Sequence, residues 1–463
     1  MVDLVGAWIA SLYALVVSPP QQPPGGLHAD GRAPASLTDV VRIAPAQRRA
    51  GINVSNHPSV NNEVAIAIDP SNPYRLVAVA HDYRNFFPQA AVWHSLDGGK
   101  SWAGAVLADL NPELGAYDGQ VDPAVAAWRG GVFFCSFLDH ERPVVPGGRN
   151  RLVVARSDDG GVTWPRMGVV VANEGEPLVE DKPYLAVDDS GGPFDGNVYV
   201  VWVHFPEASF GRIWLARSSD GGATFETPLE LSSGSGMYTG PVPGIGPNGE
   251  VYVIWTNGNR LEGTVSTDGG VTFSVDRTVT TASRPPSPLP GAAYRVAPFG
   301  SLAVDRSSGP DRGSLYVVWA DNTGVGHGPD ILLRRSADGG TSWSLPVRVS
   351  DDTNGAYQIF PWVAVGPDGA VNVVFVDQRD TPLSPLYHTY LARSTDGGRS
   401  FQRNIRLTDE ASDSTLDGFG GGFIGDYIGI AASPLGVYPT WTDIRASNGQ
   451  PEIYVRPLRF GAP

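Results

Sequence analysis

Ser95-Leu96-Asp97-Gly98-Gly99-Lys100-Ser101-Trp102 is the octapeptide on which the architecture turns. Its pattern, Ser-x-Asp-Gly-Gly-x-x-aromatic, returns at 157–164, 218–225, 266–273, 336–343 and 394–401, six copies in one chain. Each residue type has a local task. Asp-Gly-Gly closes a tight hairpin, because the carboxylate accepts turn amide protons and glycine tolerates positive φ. The serine hydroxyl ties the turn to nearby backbone, and the aromatic residue fills an apolar gap between strands. Nothing in the octapeptide asks for a substrate, so these are structural turns. Self-similarity at a spacing of roughly 60 residues marks a repeat fold.

Two apolar runs joined by a polar turn precede each copy. They fall at 64–68 with 76–80, 124–127 with 132–137, 184–187 with 198–203, 242–245 with 251–255, 301–304 with 315–319, and 362–365 with 371–376. A seventh pair, 427–431 with 437–441, lacks the octapeptide and is followed by one further strand, 452–455. The missing strand lies at the other terminus: Val41-Arg42-Ile43-Ala44 resembles the outer strands Val347-Arg348-Val349-Ser350 and Ile405-Arg406-Leu407-Thr408. The expectation is an all-β propeller over 40–463 with seven four-stranded blades, six being the alternative count. An N-terminal strand completes the last blade, which removes the exposed sheet edges.

Composition agrees and narrows the function. In 463 residues there are 57 Gly and 40 Pro, yet 41% of the chain is hydrophobic, which suits short packed strands rather than disorder. With 48 acidic against 33 basic side chains the net charge is −15. That excludes the basic footprint nucleic acid needs and disfavours anionic membranes. A single cysteine, Cys135 in an apolar run, rules out an internal disulfide framework and reads as a buried inert thiol. The eight histidines show no zinc spacing. Residues 1–39 stand apart: 4–17 is apolar like the core of an export signal and short for a bilayer span. Residues 18–36 are a Pro/Gly-rich linker. Export is the expectation, with this segment outside the fold.

With the repeated octapeptide and its strand pairs in place, the chain resembles the Asp-box (BNR) propeller proteins, the superfamily that includes sialidases. The resemblance covers about 40–463 and implies the fold more firmly than an activity, since the same box occurs in hydrolases, lyases, lectins and assembly factors. Sialidases of this superfamily have six blades, so a count of seven sets this chain apart. Their early Phe/Tyr-Arg-Ile-Pro motif is missing from blade one; Tyr294-Arg295-Val296-Ala297-Pro298 is a loose echo in another blade.

In such a propeller the loops entering the inner strands and leaving the second strands share the face opposite the Asp boxes, where side chains converge on the axis. Two sets of residues occupy those loops. After second strands come Asp82-Tyr83-Arg84, Asp377-Gln378-Arg379 and Asp443-Ile444-Arg445, with Asp139-His140-Glu141-Arg142 a looser relative. Arg84, Arg379 and Arg445 fall in neighbouring blades of a closed ring and could fork onto a carboxylate. The alternative is that each Asp pairs with its own Arg. Before inner strands come Glu63, Asp122, the run Glu180-Asp181-Lys182, and Asp426-Tyr427. Carboxylates meeting near an axis repel, so one can hold a proton and act as an acid; solvated loop carboxylates are the alternative. The glycine run Gly420-Gly421-Gly422-Phe423-Ile424-Gly425 lacks a βαβ context and instead suits a loop, 412–425, lying over the pocket.

The resemblance implies an exo-acting glycoside hydrolase that releases a terminal acidic sugar. Asp122 and Glu63 handle protons, Tyr427 or Asp426 sits at the reacting carbon, and Arg84, Arg379, Arg445, Arg142, Lys182 and Asp181 contact the glycan. No cofactor or metal is expected. Two alternatives stand beside it: a lyase acting on uronate-containing glycans, with His81 or His140 available as base, and a non-catalytic carbohydrate-binding or assembly propeller. Oligomeric state is not legible.

Overall fold

The computed structural model describes residues 41–42 and 51–460, apart from 86, 112, 115–116, 142–148, 174–179, 207–209, 235, 323–327 and 446–448. Residues 1–39, read above as signal and linker, and Arg142 lie outside the described residues.

Seven antiparallel sheets form the blades. Their inner strands are Asn61–Ile68, Gly119–Trp128, Glu180–Val187, Tyr238–Ile245, Ser301–Val304, Gln358–Val365 and Gly429–Ser433. Each inner strand packs against the next, and Gly429–Ser433 packs back on Asn61–Ile68, so the ring is closed. The second strands, such as Leu76–Asp82 and Val132–His140, are buried along their whole length because neighbouring blades cover both faces. That is why they read as unbroken apolar runs rather than as alternation. The count is seven, and the six-blade alternative falls.

An N-terminal strand does complete the last blade, but it is not Val41-Arg42-Ile43-Ala44. Ile52–Asn53 pairs with Glu452–Val455, with Ile52 opposite Val455 and Asn53 opposite Tyr454. Val54 N–H adds a bond to Ile453 O at 2.8 Å, and Asn53 Nδ2 donates to the Glu452 carboxylate. Val41–Arg42 instead joins the outer edge of blade one, opposite Trp102 and Ser101. Two short strands with similar patterns compete for two edges, and pattern alone does not say which edge each takes. Ile52 and Val54, both buried, supply the apolar anchors that the closing strand needs.

The Asp boxes fold as their residues dictate. In the first, Ser95 Oγ accepts from Gly99 N–H (2.9 Å) and donates to Asp97 Oδ1 (2.9 Å). Asp97 Oδ1 accepts from the amides of Lys100 and Ser101 (2.9 Å each), and Oδ2 accepts from Ser101 Oγ (2.6 Å). The same net recurs around Asp159, Asp220, Asp268, Asp338 and Asp396. The aromatic plug is uneven: Trp102 and Trp164 are fully buried, whereas Phe225, Phe273, Trp343 and Phe401 are half-buried. Arginines staple neighbouring blades to these turns, Arg156 to Gly221 O (2.8 Å) and Arg217 to Gly269 O (2.9 Å).

Candidate functional site

Pairing of the inner strands breaks at one equivalent point in five blades: between Asn62 and Ala65, Val121 and Ala124, Asp181 and Tyr184, Thr239 and Val242, and Ile359 and Trp362. Each break holds a residue of positive φ: Glu63 (57°), Asp122 (54°), Lys182 (49°), Gly240 (58°) and Phe360 (52°). Proline follows in four of them, at 123, 183, 241 and 361, where its missing N–H costs the ladder nothing. A bulge re-aims the side chain it carries. Left-handed backbone at a residue other than glycine costs of order 1–3 kcal/mol and gathers at functional sites.

The three charged bulge residues meet. Lys182 Nζ lies 2.7 Å from Asp122 Oδ1, 3.1 Å from Glu63 Oε1 and 3.1 Å from Asp426 Oδ2. Arg295, leading into blade five, forks onto Asp426 through Nε (2.9 Å to Oδ1) and Nη2 (2.5 Å to Oδ2). Asp426 N–H donates to Glu63 Oε1 at 3.2 Å across the seam between the first and last blades. His81 joins the two proton-handling candidates. Its Nε2 accepts from the Asp122 amide at 2.6 Å, which leaves the proton on Nδ1, 3.1 Å from Asn62 Oδ1 and 3.7 Å from Glu63 Oε2.

The cluster is enclosed: Glu63 is 0% exposed and Lys182 2%. The 412–425 loop lies over it, as expected. Asp417 organises that loop by accepting from the amides of Phe419 (2.7 Å), Gly421 (2.8 Å) and Phe423 (2.7 Å). Phe423 lies against the Arg295 guanidinium, and Phe419 meets Tyr83 edge to face. Gly425 has φ +93°, and a Cβ there would stand 2.9 Å from Glu63 N, so only glycine lets the loop approach this closely. Beneath the charges Tyr184, Trp362 and Tyr427 line a cavity of about 130 Å³ on the axis. Tyr427 OH donates to Pro123 O at 3.2 Å, and Tyr184 OH has no partner among the described residues.

Electrostatics separates the carboxyls. Burial, helped by Asp122 and Asp426, raises the Glu63 pKa well above the carboxylate range despite Lys182. For Asp122 burial acts the same way, but the Lys182 ammonium and His81 outweigh it and hold the group below its usual range. Asp426 is likewise lowered, since Arg295 and Lys182 overcome its burial. Burial, with the Asp122 charge beside it, pushes Asp181 up to about 7. Lys182 resists its own burial because the carboxylates around it raise its pKa well above the ordinary value. Burial lowers His81 to about 4, so the ring is neutral. Glu63, His81 and Asp122 offer atoms within 4.8 Å of one another, the spacing of a metal set. The set does not suit an ion, because Lys182 already supplies the cation and both His81 nitrogens are engaged.

The structure therefore brings Glu63, Asp122, Lys182, Asp426 and Tyr427 together, with Asp181 in the same electrostatic environment. It does not bring the three arginines together. Arg84 binds Asp82 at 2.6 Å, Arg379 binds Asp377 at 2.7 Å, and Arg445 binds Asp443 at 2.7 Å. Arg379 and Arg445 turn outward over Tyr390 and Tyr454 of the third strands and also pair with Asp351 and Asp409. The fourth member, Asp139, takes Arg151 from the third strand at 2.7 Å. Arg295 was legible only as an echo in another blade. His81 was named as a candidate base, but nothing in the sequence says that it spans from blade one to the Asp122 backbone.

No protein-family model matches the chain. A xyloglucanase from Paenibacillus sp is 27% identical over 305 residues, 61% of this chain; the chain spans 26% of that protein's length. Among solved structures, a Dyadobacter fermentans protein of unknown function has a TM-score of 0.50 at 15% identity, covering 76% of this chain and 98% of that one. A Hadza microbial sialidase has a TM-score of 0.46 at 16% identity, covering 84% and 74%. No helix among the described residues is long and apolar enough to cross a membrane. Six Asp-box turns in the sequence and seven closed blades in the structure give this chain the fold of a seven-bladed β-propeller.

Proposed function

We propose that the protein is a glycoside hydrolase in which Glu63 and Asp122 carry the proton chemistry at the axis. The observation behind this reading is the contact of two neighbouring carboxyls in unlike settings: burial raises the pKa of Glu63, whereas Lys182, 2.7 Å from Asp122, lowers that of Asp122. Such a pair supplies an acid and a base, or an acid and a nucleophile, in one place. The oxygens they offer lie within 4.8 Å of each other, so the pair can act on one group. The partial likeness to a xyloglucanase supports a glycan as substrate. Tyr427 or Asp426 is assigned to the reacting carbon in this proposal. Release of a terminal acidic sugar is the finer form of this proposal.

One observation favours a second reading, a non-catalytic glycan-binding propeller: the charge cluster is closed over by the 412–425 loop, and an ion lock of this kind can serve the fold alone. Product masses distinguish the readings after incubation with sialylated, uronate-containing and neutral xyloglucan oligosaccharides. Hydrolysis appears as fragments carrying one added water, and Glu63→Gln and Asp122→Asn lower turnover at least about 100-fold. Fragments lacking that water indicate elimination and a lyase. Retention without release, unchanged in Glu63→Gln, sinks the enzyme reading.

A further inference from the structure

Most arginines of this acidic chain pair with carboxylates, while Arg312, Arg334 and Arg456 turn to backbone carbonyls, and blade four carries further arginines without an ion pair. Arg260, which opens its third strand, and Arg284, just past its outer strand Arg277–Thr281, form no ion pair among the described residues. Both flank a cavity of about 530 Å³ lined by Asn257, Asn259, Arg260, Thr281, Ala282 and Ser283. Arg284 follows the lining residue Ser283 directly. Its Nε donates at 2.7 Å to Gly258 O, the carbonyl between the lining residues Asn257 and Asn259, so the guanidinium is anchored at the rim. The cavity wall is itself braced: Ala282 N–H donates to Asn259 O (2.9 Å), and Asn322 N–H to Ser283 O (2.8 Å).

No carboxylate lines the cavity. The acids behind it are engaged, Glu262 with Asn257 (3.0 Å) and Trp255 Nε1 (3.4 Å), and Asp321 with Trp319 Nε1 (2.7 Å). Burial without a carboxylate to offset it holds the Arg284 pKa below the ordinary arginine value. A half-buried cation left uncompensated in a chain of net charge −15 costs stability unless an anion arrives from outside. The remaining lining groups are two amides and two hydroxyls, which hydrogen-bond sugar hydroxyls in either direction. Asn257 ends its second strand at the register position that Asp82 holds in blade one, so the cavity opens on the same face as the axial cluster.

We infer that this cavity on blade four is an anion-recognising glycan subsite, in which Arg260 and Arg284 take the carboxylate or sulfate of an acidic sugar residue. The inference rests on the glycan reading above but not on catalysis. The subsite grips a charged unit of the substrate on the same face as the acid–base pair, and it supplies the guanidiniums that Arg84, Arg379 and Arg445 do not offer.

Calorimetric titration of the full chain tests it, with tetragalacturonate, its methyl-esterified form, a sulfated carrageenan tetrasaccharide and inorganic sulfate as probes. Arg260→Gln changes an exposed side chain and Arg284→Gln a half-buried one, so thermal melting of each accompanies the titrations. Either charged oligosaccharide should bind, each variant should weaken it about tenfold, and salt should weaken it further. Methyl esterification should abolish the carboxylate form; which charged probe binds more tightly tells carboxylate from sulfate. Binding of neither oligosaccharide, or binding indifferent to a folded Arg260→Gln, overturns the subsite. Inorganic sulfate binding as tightly as the oligosaccharides overturns the glycan assignment. Binding that persists in Glu63→Gln, with no product from any glycan, leaves the subsite standing while the hydrolase reading fails.

Discussion

At the scale of single residues, the decisive group is Lys182. One ammonium holds carboxyls from blades one and two and from the segment leading into blade seven. Replacing it with methionine leaves the Asp122 carboxylate buried without its cation, while Asp426 keeps Arg295, and removing one member of such a set costs about 3–5 kcal/mol. Urea denaturation of Lys182→Met should show that loss; a change under about 1 kcal/mol would mean that the carboxyls protonate freely and the lock is weak. Asp181 gives a test by pH. Its carboxyl is held at about 7 in the folded chain against about 3.9 in an unfolded one. Folding therefore takes up a proton between those values: its stability term is whole below about pH 4 and lost as pH rises through about 7. His81 works the other way, its term being lost as pH falls from about 6.5 towards about 4. The wild-type profile sums both, so the comparison with Asp181→Asn isolates one. The urea midpoint of the variant should gain on wild type from pH 5 to pH 8, and a constant difference would place Asp181 in ordinary solvent.

At the scale of elements, the Asp box and the bulge divide the labour of a blade. The box is a closed hydrogen-bond net built within eight residues, which is why it was legible from the octapeptide alone. Asp97→Ala removes the acceptor for two amides and two hydroxyls, at a cost of about 1–3 kcal/mol. Hydrogen exchange should speed up in the strands Gln89–Ser95 and Ser101–Val106 and stay unchanged in blades three to six. Acceleration throughout would mean the propeller opens only as a whole. The bulges were not legible. Glu63, Asp122 and Lys182, read as loop residues ahead of the inner strands, lie inside those strands, and only register with the second strand reveals the extra residue that turns them inward. The Asp-x-Arg triplets mislead for a related reason: the Arg two residues on is within reach of its own Asp, and that short loop closes before any longer one.

For the whole molecule, closure is the feature that all blades depend on. The strand Ile52–Asn53 is the only one in blade seven that comes from the N-terminal side of the chain. Beginning the chain at residue 51 should leave the midpoint of thermal unfolding within a few degrees of wild type. Beginning it at residue 56 strips Ile52 and Val54 from the core and exposes the edge of Glu452–Val455. About 3–6 kcal/mol of apolar burial goes with them, and the freed edge should show as aggregation in size-exclusion chromatography. An equally stable, monomeric product would place the seam elsewhere.

What the amino-acid order determined by itself is everything carried by short-range chemistry: the box turns, the strand pairs, the count of seven and the need for an N-terminal partner strand. Glu63 and Asp122 were also legible as equivalents, because they repeat at one place in a repeating unit. The tertiary structure decided which N-terminal strand closes the ring, that the three arginines serve their own blades, and that Lys182, Arg295 and His81 bind the carboxyls into one cluster. Those outcomes depend on contacts between residues hundreds of positions apart, 363 between Glu63 and Asp426 and 399 between Asn53 and Glu452. A period in the sequence shows that blades are alike; only the closed ring shows which side chains face each other across it.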